Sequence, residues 1–367
     1  MKQFIFLICL LIIQTGCSES VKTPYIEDKG LITHLAVDTN NKGGVTVTAA
    51  VPVASQYSKK NVNFYSASGK RFRGALIKLS SFSDKYLEVS QLQSVIISEA
   101  FAKKYGVQQV IQKLYNSPKA SDNIKLAITK GPAQKILKGK YEGMPLIIPY
   151  IATVLTPKQS NLFSSFATFR SFILYATSAT RDPAIPYLEE QNNHLTITGN
   201  VMFKHFKYIR KLGPEESSVV AVIFGKKKFV NVLDIAVKEN NKKYSLTIND
   251  AQKKLRLKVI EDSTAPLVNI DLHLKIFAVT YEGTFNIENP KNIKKAEQVI
   301  AKALKNAVYE ELLTLQNENV DLLGLGEEFR KKTRGKWTQK KWEEIYPKIK
   351  FKVHVTTKLL DNAVQIQ

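Results

Sequence analysis

Apolar residues recur along this chain in two periods, and the switches between them mark its elements. In residues 44–54, Val45, Val47 and Ala49 alternate with Thr46 and Thr48, and another apolar run covers residues 31–38. Asn40-Asn41-Lys42-Gly43-Gly44 between them is turn chemistry, so the two runs predict a β-hairpin. Residues 95–97 form a short apolar strand running into a helical stretch that Gly106 interrupts, and a second helical stretch, 107–115, leads to an apolar strand at 124–129. Strand, helix, strand in that order predicts a βαβ unit with parallel strands.

Apolar passages at 144–155 and 162–176 are cut by Pro145, Pro149, Pro157 and Arg170, so neither predicts a membrane span. Asp182-Pro183-Ala184-Ile185-Pro186 is turn chemistry closing the first half. Beyond it, residues 195–203, 219–224, 229–233, 244–248, 255–260 and 267–279 predict strands. In the last, Val268, Ile270, Leu272, Leu274 and Ile276 alternate with Asn269, Asp271, His273 and Lys275, which predicts a half-buried antiparallel strand with one wet face. Asn289 and Pro290 supply an N-cap and a first-turn proline for a long helix. Its apolar residues, from Ile293 to Leu312, recur at helical spacing, and Lys294, Lys295, Lys302 and Lys305 fall on the opposite side. A glycine-punctuated segment (322–334), a short tryptophan-bearing helix (337–346) and a closing strand (349–359) complete the chain.

The first twenty residues follow a different rule. Lys2 precedes an unbroken apolar run at 4–13, and Gln14-Thr15-Gly16 leads into Cys17. About ten apolar residues suit a secretory signal and fall short of the roughly 20 that a spanning helix needs. Small residues before Cys17 resemble a bacterial lipobox, which implies a diacylglycerol on that cysteine after cleavage; the alternative is an ordinary signal with an incidental cysteine.

Composition narrows the partners. The 367 residues carry 54 Lys and Arg against 32 Asp and Glu, a formal charge of +22. Behind an export signal this excess points to anionic lipid headgroups, an acidic wall polymer or an acidic face of a membrane protein, and away from nucleic acid. Cys9 and Cys17 are the two cysteines. Loss of the first and acylation of the second leave no thiol for a disulfide, a zinc site or catalysis.

Candidate chemistry is sparse. His34, His194, His205, His273 and His354 show no zinc-helix spacing, and Asp271 with His273 matches a wet strand face as well as an acid/base pair. Glu189-Glu190, Glu327-Glu328 and Glu343-Glu344 are neighbours whose side chains point apart on a helix or a strand. Gly324-Leu325-Gly326 lacks the third glycine of a dinucleotide loop, and neither a GxSxG nor a Walker sequence is present. No catalytic, metal or cofactor site is therefore expected. The densest charge is Arg330, Lys331, Lys332, Arg334, Lys336, Lys340 and Lys341, beside Phe329, Trp337 and Trp342. It reads as a membrane or partner contact, or as a solvated helix face whose tryptophans turn inward.

Residues 321–330 (DLLGLGEEFR), Trp342-Glu343-Glu344-Ile345-Tyr346-Pro347 and the basic closing strand resemble the C-terminal signature of the Ger(x)C family, lipoprotein C subunits of spore germinant receptors. The likeness extends upstream through residues 26–32, residues 96–100, Arg181-Asp182-Pro183 and residues 199–204. Ser18 departs from the family's tryptophan after the lipidated cysteine, and Gln14 from its usual leucine. The resemblance implies a multi-domain α+β ectodomain, its mixed β-sheets packed with helices and no transmembrane helix in the mature chain. It would be tethered to the outer face of the spore inner membrane, beside multi-spanning receptor subunits of the A and B types. The expected division is a signal peptide (1–16), a lipidated tether (17–28), an N-terminal α/β domain (29–190), a small middle domain (191–235) and a C-terminal domain with an antiparallel sheet and long helix (236–367). Two functions stand against each other: a non-enzymatic germinant-receptor subunit, and a free-standing surface lipoprotein that binds a solute or wall polymer.

Overall fold

A computed structural model describes residues 25–53, 61–144, 146–156, 168–224, 228–239, 242–260, 266–281, 289–332 and 337–364. Its first part runs β1 (Lys29–Leu31), β2 (His34–Thr39), β3 (Val45–Pro52), β4 (Val62–Gly69), α1 (Phe72–Ser80), β5 (Tyr86–Glu88), β6 (Ser94–Ser98), α2 (Glu99–Tyr105), α3 (Gln108–Tyr115), β7 (Lys125–Thr129), α4 (Ala133–Lys138), α5 (Ile147–Leu155), α6 (Phe169–Ala176), β8 (Ala184–Gln191), β9 (His194–Lys204) and β10 (Lys207–Leu212). The second runs α7 (Pro214–Phe224), β11 (Lys228–Glu239), β12 (Lys242–Ile260), β13 (Leu267–Tyr281), α8 (Ile293–Asn317), α9 (Leu325–Lys332), α10 (Gln339–Ile345) and β14 (Lys350–Val364). The fold is α+β, as the sequence pattern and the resemblance imply.

Eight strands form one sheet in the order β10-β9-β8-β7-β6-β2-β3-β4, and β1 pairs separately with β5. At its centre β2, β6, β7 and β8 run parallel, with antiparallel strands on both flanks. The β2–β3 hairpin and the parallel β6–β7 pair are those the pattern predicts. Both faces of the parallel centre are covered, so the middle residues of β2, β6 and β7 are apolar on both sides. Leu35, Val37, Val95, Ile97, Leu126 and Ile128 enter one core with Phe72, Phe101, Ile111 and Phe172 from the helices. The intervening Ala36, Ile96 and Ala127 enter another with Ile136, Leu137 and Ile151. Alanine at two of these three positions lets α4 and α5 lie close to the sheet.

The second sheet has the order β11-β12-β13-β14, and α8 packs across its apolar face. Four features differ from the sequence expectation. Residues 219–224 belong to helix α7, not to a strand. This helix lies between the two sheets with Ser217 to Ile223 all buried, so it shows no polar stripe and its VVAVIF run reads like a core strand. Residues 244–248 and 255–260 belong to one 19-residue strand, β12, whose irregular register near Asp250 absorbs the polar interruption. The 267–279 strand is antiparallel to β12 but parallel to β14, because the chain crosses the sheet through α8 before it returns. The long helix starts at Ile293, after a 3-10 turn over Pro290–Asn292, and Asn289 Oδ1 accepts from Lys291 N at 3.0 Å there. Lys294, Lys295, Lys302 and Lys305 are exposed, as its periodicity requires.

Strands β9 and β10 extend the first sheet beyond residue 190, while α7 and β11 contribute to the core beneath the second. That core also takes in Ala184, Met202 and Leu212 from the first sheet, so apolar packing is continuous between the two. Among the described residues, no helix is long and apolar enough to cross a membrane.

Candidate functional site

The turn before β8 meets the turn before α9 through a reciprocal pair of aspartates. Asp182 N donates to Asp321 O at 2.8 Å, and Asp321 N donates to Asp182 Oδ2 at 2.9 Å. Lys204 Nζ also reaches Asp182 Oδ2, at 3.0 Å. The Asp321 carboxylate accepts from Leu325 N and Gly326 N at 3.0 and 2.9 Å, so it caps the first turn of α9. Burial pushes its carboxyl up to about 7, against the pull of backbone donors at Gly326 and Leu325 and with help from the charge of Asp182. Arg181 Nε donates to Leu322 O at 3.1 Å, and its guanidinium lies 4.1 Å from the centre of the Tyr175 ring.

Two neighbouring aspartates invite an acid/base reading, and volume decides against it. The cavity that Asp182 lines with Lys204, His205, Gln339 and Trp342 among others, and that Asp321 does not reach, holds about 10 Å³. That is room for about one water, and no substrate. The pair is a joint between the halves of the molecule.

Carboxyl ends of parallel strands are the other place where an α/β sheet binds ligands. Here Asp38, on β2, accepts from Ala133 N and Gln134 N at 2.6 and 2.9 Å, at the start of α4. Glu99, after β6, accepts from the Tyr208 and Tyr187 hydroxyls at 2.6 and 2.9 Å and pairs with Lys103 at 2.8 Å. Burial alone would raise the Glu99 pKa, but Lys103 and the two tyrosines outweigh it and hold it below the ordinary range. Both carboxylates are thus engaged by the protein's own donors.

The histidines are equally dispersed. His34 bonds Ser94 and Ile148, His205 bonds Ala176 and Gln339, and His273 bonds Thr356 instead of Asp271. Among the described residues, no group of three or more His, Cys, Asp or Glu could hold a metal ion.

Cys17 lies outside the described residues, as do Arg334 and Lys336 of the basic run. Arg330 is bidentate to Glu327 at 2.8 and 2.7 Å, Lys331 pairs with Glu328 at 2.6 Å, and Lys332 Nζ donates to Val259 O. Helical i, i+3 spacing brings the acids of the first turn of α9 to the bases of its last. The aromatics beside the run turn inward: Trp342 is 3% exposed, with ring centres of Phe329, Trp337 and Tyr346 at 5.2, 5.5 and 5.2 Å.

Sequence reasoning missed the Asp182–Asp321 joint, whose members are 139 residues apart. The local signal was present, since Asp321 precedes Leu325 and Gly326 by four and five residues, within reach of a helix start.

Comparison with known proteins matches this architecture half by half. The family model described as the spore germination protein N-terminal domain matches residues 23–190, and the model described as spore germination B3/GerAC-like, C-terminal, matches residues 198–362. The spore germination protein GerQC of Bacillus cereus is 27% identical over 364 residues, covering 99% of both chains. The crystal structure of the GerBC protein superimposes with a TM-score of 0.54 and 17% identity over 89% of this chain and 96% of that one, a likeness of fold. With both halves matched in order and almost nothing left over, the chain belongs to the Ger(x)C family of spore germination proteins.

Proposed function

We propose that this protein is the lipid-anchored C subunit of a nutrient germinant receptor, non-enzymatic and required for spore germination. One observation carries this reading: a spore germination protein aligns with the chain from end to end. The anchor is a diacylglycerol on Cys17, which holds the folded body on the outer face of the spore inner membrane. Residues 17–28 form the tether, and the body docks to multi-spanning subunits of the A and B types. Arg330, Lys331, Lys332, Arg334 and Lys336 are the proposed contact with a partner or with the membrane.

Work by contact fits a molecule whose buried Asp38, Asp182 and Asp321 serve its own backbone and in which the cavity at Asp182 has space for a single water. The test is affinity purification from detergent-solubilised spore membranes with this chain as bait. Multi-spanning receptor subunits should co-purify, and deletion of the gene should slow germination in at least one nutrient. Recovery of the chain alone, with germination unchanged in every nutrient tried, would reject the reading. Mass analysis tests the anchor separately: wild type should carry an acyl mass on Cys17, and Cys17→Ala should leave the membrane fraction.

A further inference from the structure

The register of the second sheet places its basic residues side by side on the face opposite α8. Strands β12, β13 and β14 give five cross-strand rows on that face: Gln252-Lys275-Lys358, Lys254-His273-Thr356, Arg256-Asp271-His354, Lys258-Asn269-Lys352 and Ile260-Leu267-Lys350. Lys254, Arg256, Lys258, Lys275, Lys350, Lys352 and Lys358 are all exposed, and Asp271 is the one carboxylate in the fifteen positions. Strands lie about 4.8 Å apart, and same-face residues about 7 Å apart along a strand. The cations therefore form a lattice over a surface roughly 10 Å wide and 26 Å long. Sequence inspection does not find it, because its charges come from three segments that span more than a hundred residues.

We propose that this lattice seats the protein on an anionic lipid bilayer. Six of the seven cations are lysines, compact and strongly hydrated point charges without the planar fork by which arginine clamps a particular carboxylate or phosphate. None of the fifteen residues is Phe, Tyr or Trp, the large rings that anchor interfaces and stack on bases. Protein interfaces concentrate aromatics and arginine at their centres, and single-stranded nucleic acid needs rings on which bases stack. A broad lysine lattice on a pleated sheet instead matches a surface of mobile, evenly spread negative charge. Attraction of this kind adds up per lysine, and together with one lipid chain it converts reversible membrane contact into stable attachment. The proposal deepens the anchored-subunit reading and rests on it for the presence of a bilayer; its test omits the acyl chain, so the two can fail separately.

The test is partitioning of the mature chain carrying Cys17→Ser onto vesicles of phosphatidylglycerol and phosphatidylcholine, and onto phosphatidylcholine alone. Binding should require phosphatidylglycerol and should vanish in high salt, where the Debye length falls to about 3 Å. The quadruple variant K254Q/K258Q/K275Q/K352Q should lose up to about a thousandfold in partitioning. K291Q/K294Q/K302Q/K305Q, which removes the same charge from the α8 side, should bind like the parent. If the sheet-face variant melts lower than the parent, the pairs K254Q/K275Q and K258Q/K352Q carry the comparison instead. Equal loss in both sets would make net charge the cause and overturn the proposal. So would failure of the parent to bind anionic vesicles, or tighter binding to soluble polyglutamate, which would indicate an acidic protein partner.

Discussion

At the scale of single residues, two buried titratable groups give stability opposite dependences on pH. The His34 ring is fully buried between Ser94 Oγ at 2.7 Å and Ile148 O at 3.0 Å, so it ties β2 to β6 and to α5. Burial drives its pKa down to about 4, against a smaller opposing effect from the Ile148 carbonyl. Between pH 6.5 and 4 the unfolded chain therefore binds a proton that the folded one refuses, and stability falls on acidification through that window. The loss amounts to about 3 kcal/mol, and His34→Gln should flatten this limb in urea titrations run across it. Glu311, on α8, acts the other way. It is 4% exposed, its Oε1 has no hydrogen-bond partner, and burial together with the charge of Glu216 lifts its pKa to about 8 although Arg210 opposes them. The folded state keeps this proton while the unfolded state releases it, so stability declines from about pH 4.5 to 8. Glu311→Gln should remove that decline and raise stability above pH 8 by on the order of 5 kcal/mol, measured by the same titrations.

At the scale of elements, close packing at α9 explains a motif that looks like part of a cofactor loop. Gly324, at φ +71°, turns the chain into the helix, and a Cβ on Gly326 would stand 2.9 Å from Thr180 Cα and 3.0 Å from Thr180 O. Backbone cannot yield as a flexible side chain would, so Gly326→Ala should cost about 1–3 kcal/mol, read as a lowered denaturation midpoint. Trp342→Ala, which empties the aromatic cluster, should cost about 3–5 kcal/mol in the same assay. Much of this level was legible in the sequence. The β2–β3 hairpin, the parallel β6–β7 pair and the exposed lysines of α8 all follow from period and turn chemistry. Helix α7 did not, because burial on every side erases the stripe by which a helix is recognised. Its better signals were Pro214 in the first turn with Glu215 and Glu216 after it. The direction of β14 was not legible either, since one apolar face reads alike beside a parallel or an antiparallel neighbour. Cross-strand register lies beyond any single segment, and so the basic lattice appears only once three strands are aligned.

For the molecule as a whole, the joint at Asp182 decides whether the two sheets unfold together. Asp182→Ala removes the acceptor of Asp321 N and the partner of Lys204, leaving a buried backbone donor unpaired and a half-buried ammonium to be hydrated by solvent. An unsatisfied buried donor of this kind costs about 1–3 kcal/mol. Calorimetry should then resolve two transitions where the parent shows one, and protease cutting near residues 180–183 should accelerate. The matches to the family fall on either side of this joint, at 23–190 and 198–362.

Strand β14 pairs with a partner that the chain laid down before α8, and it supplies the last described residues. A premature stop codon anywhere between β13 and the end of β14 would strip that partner of its neighbour and leave the backbone of β13 ready to recruit strands from other molecules. Late frameshifts in this gene should thus yield aggregates or rapid degradation of the product, not a shortened subunit with partial activity.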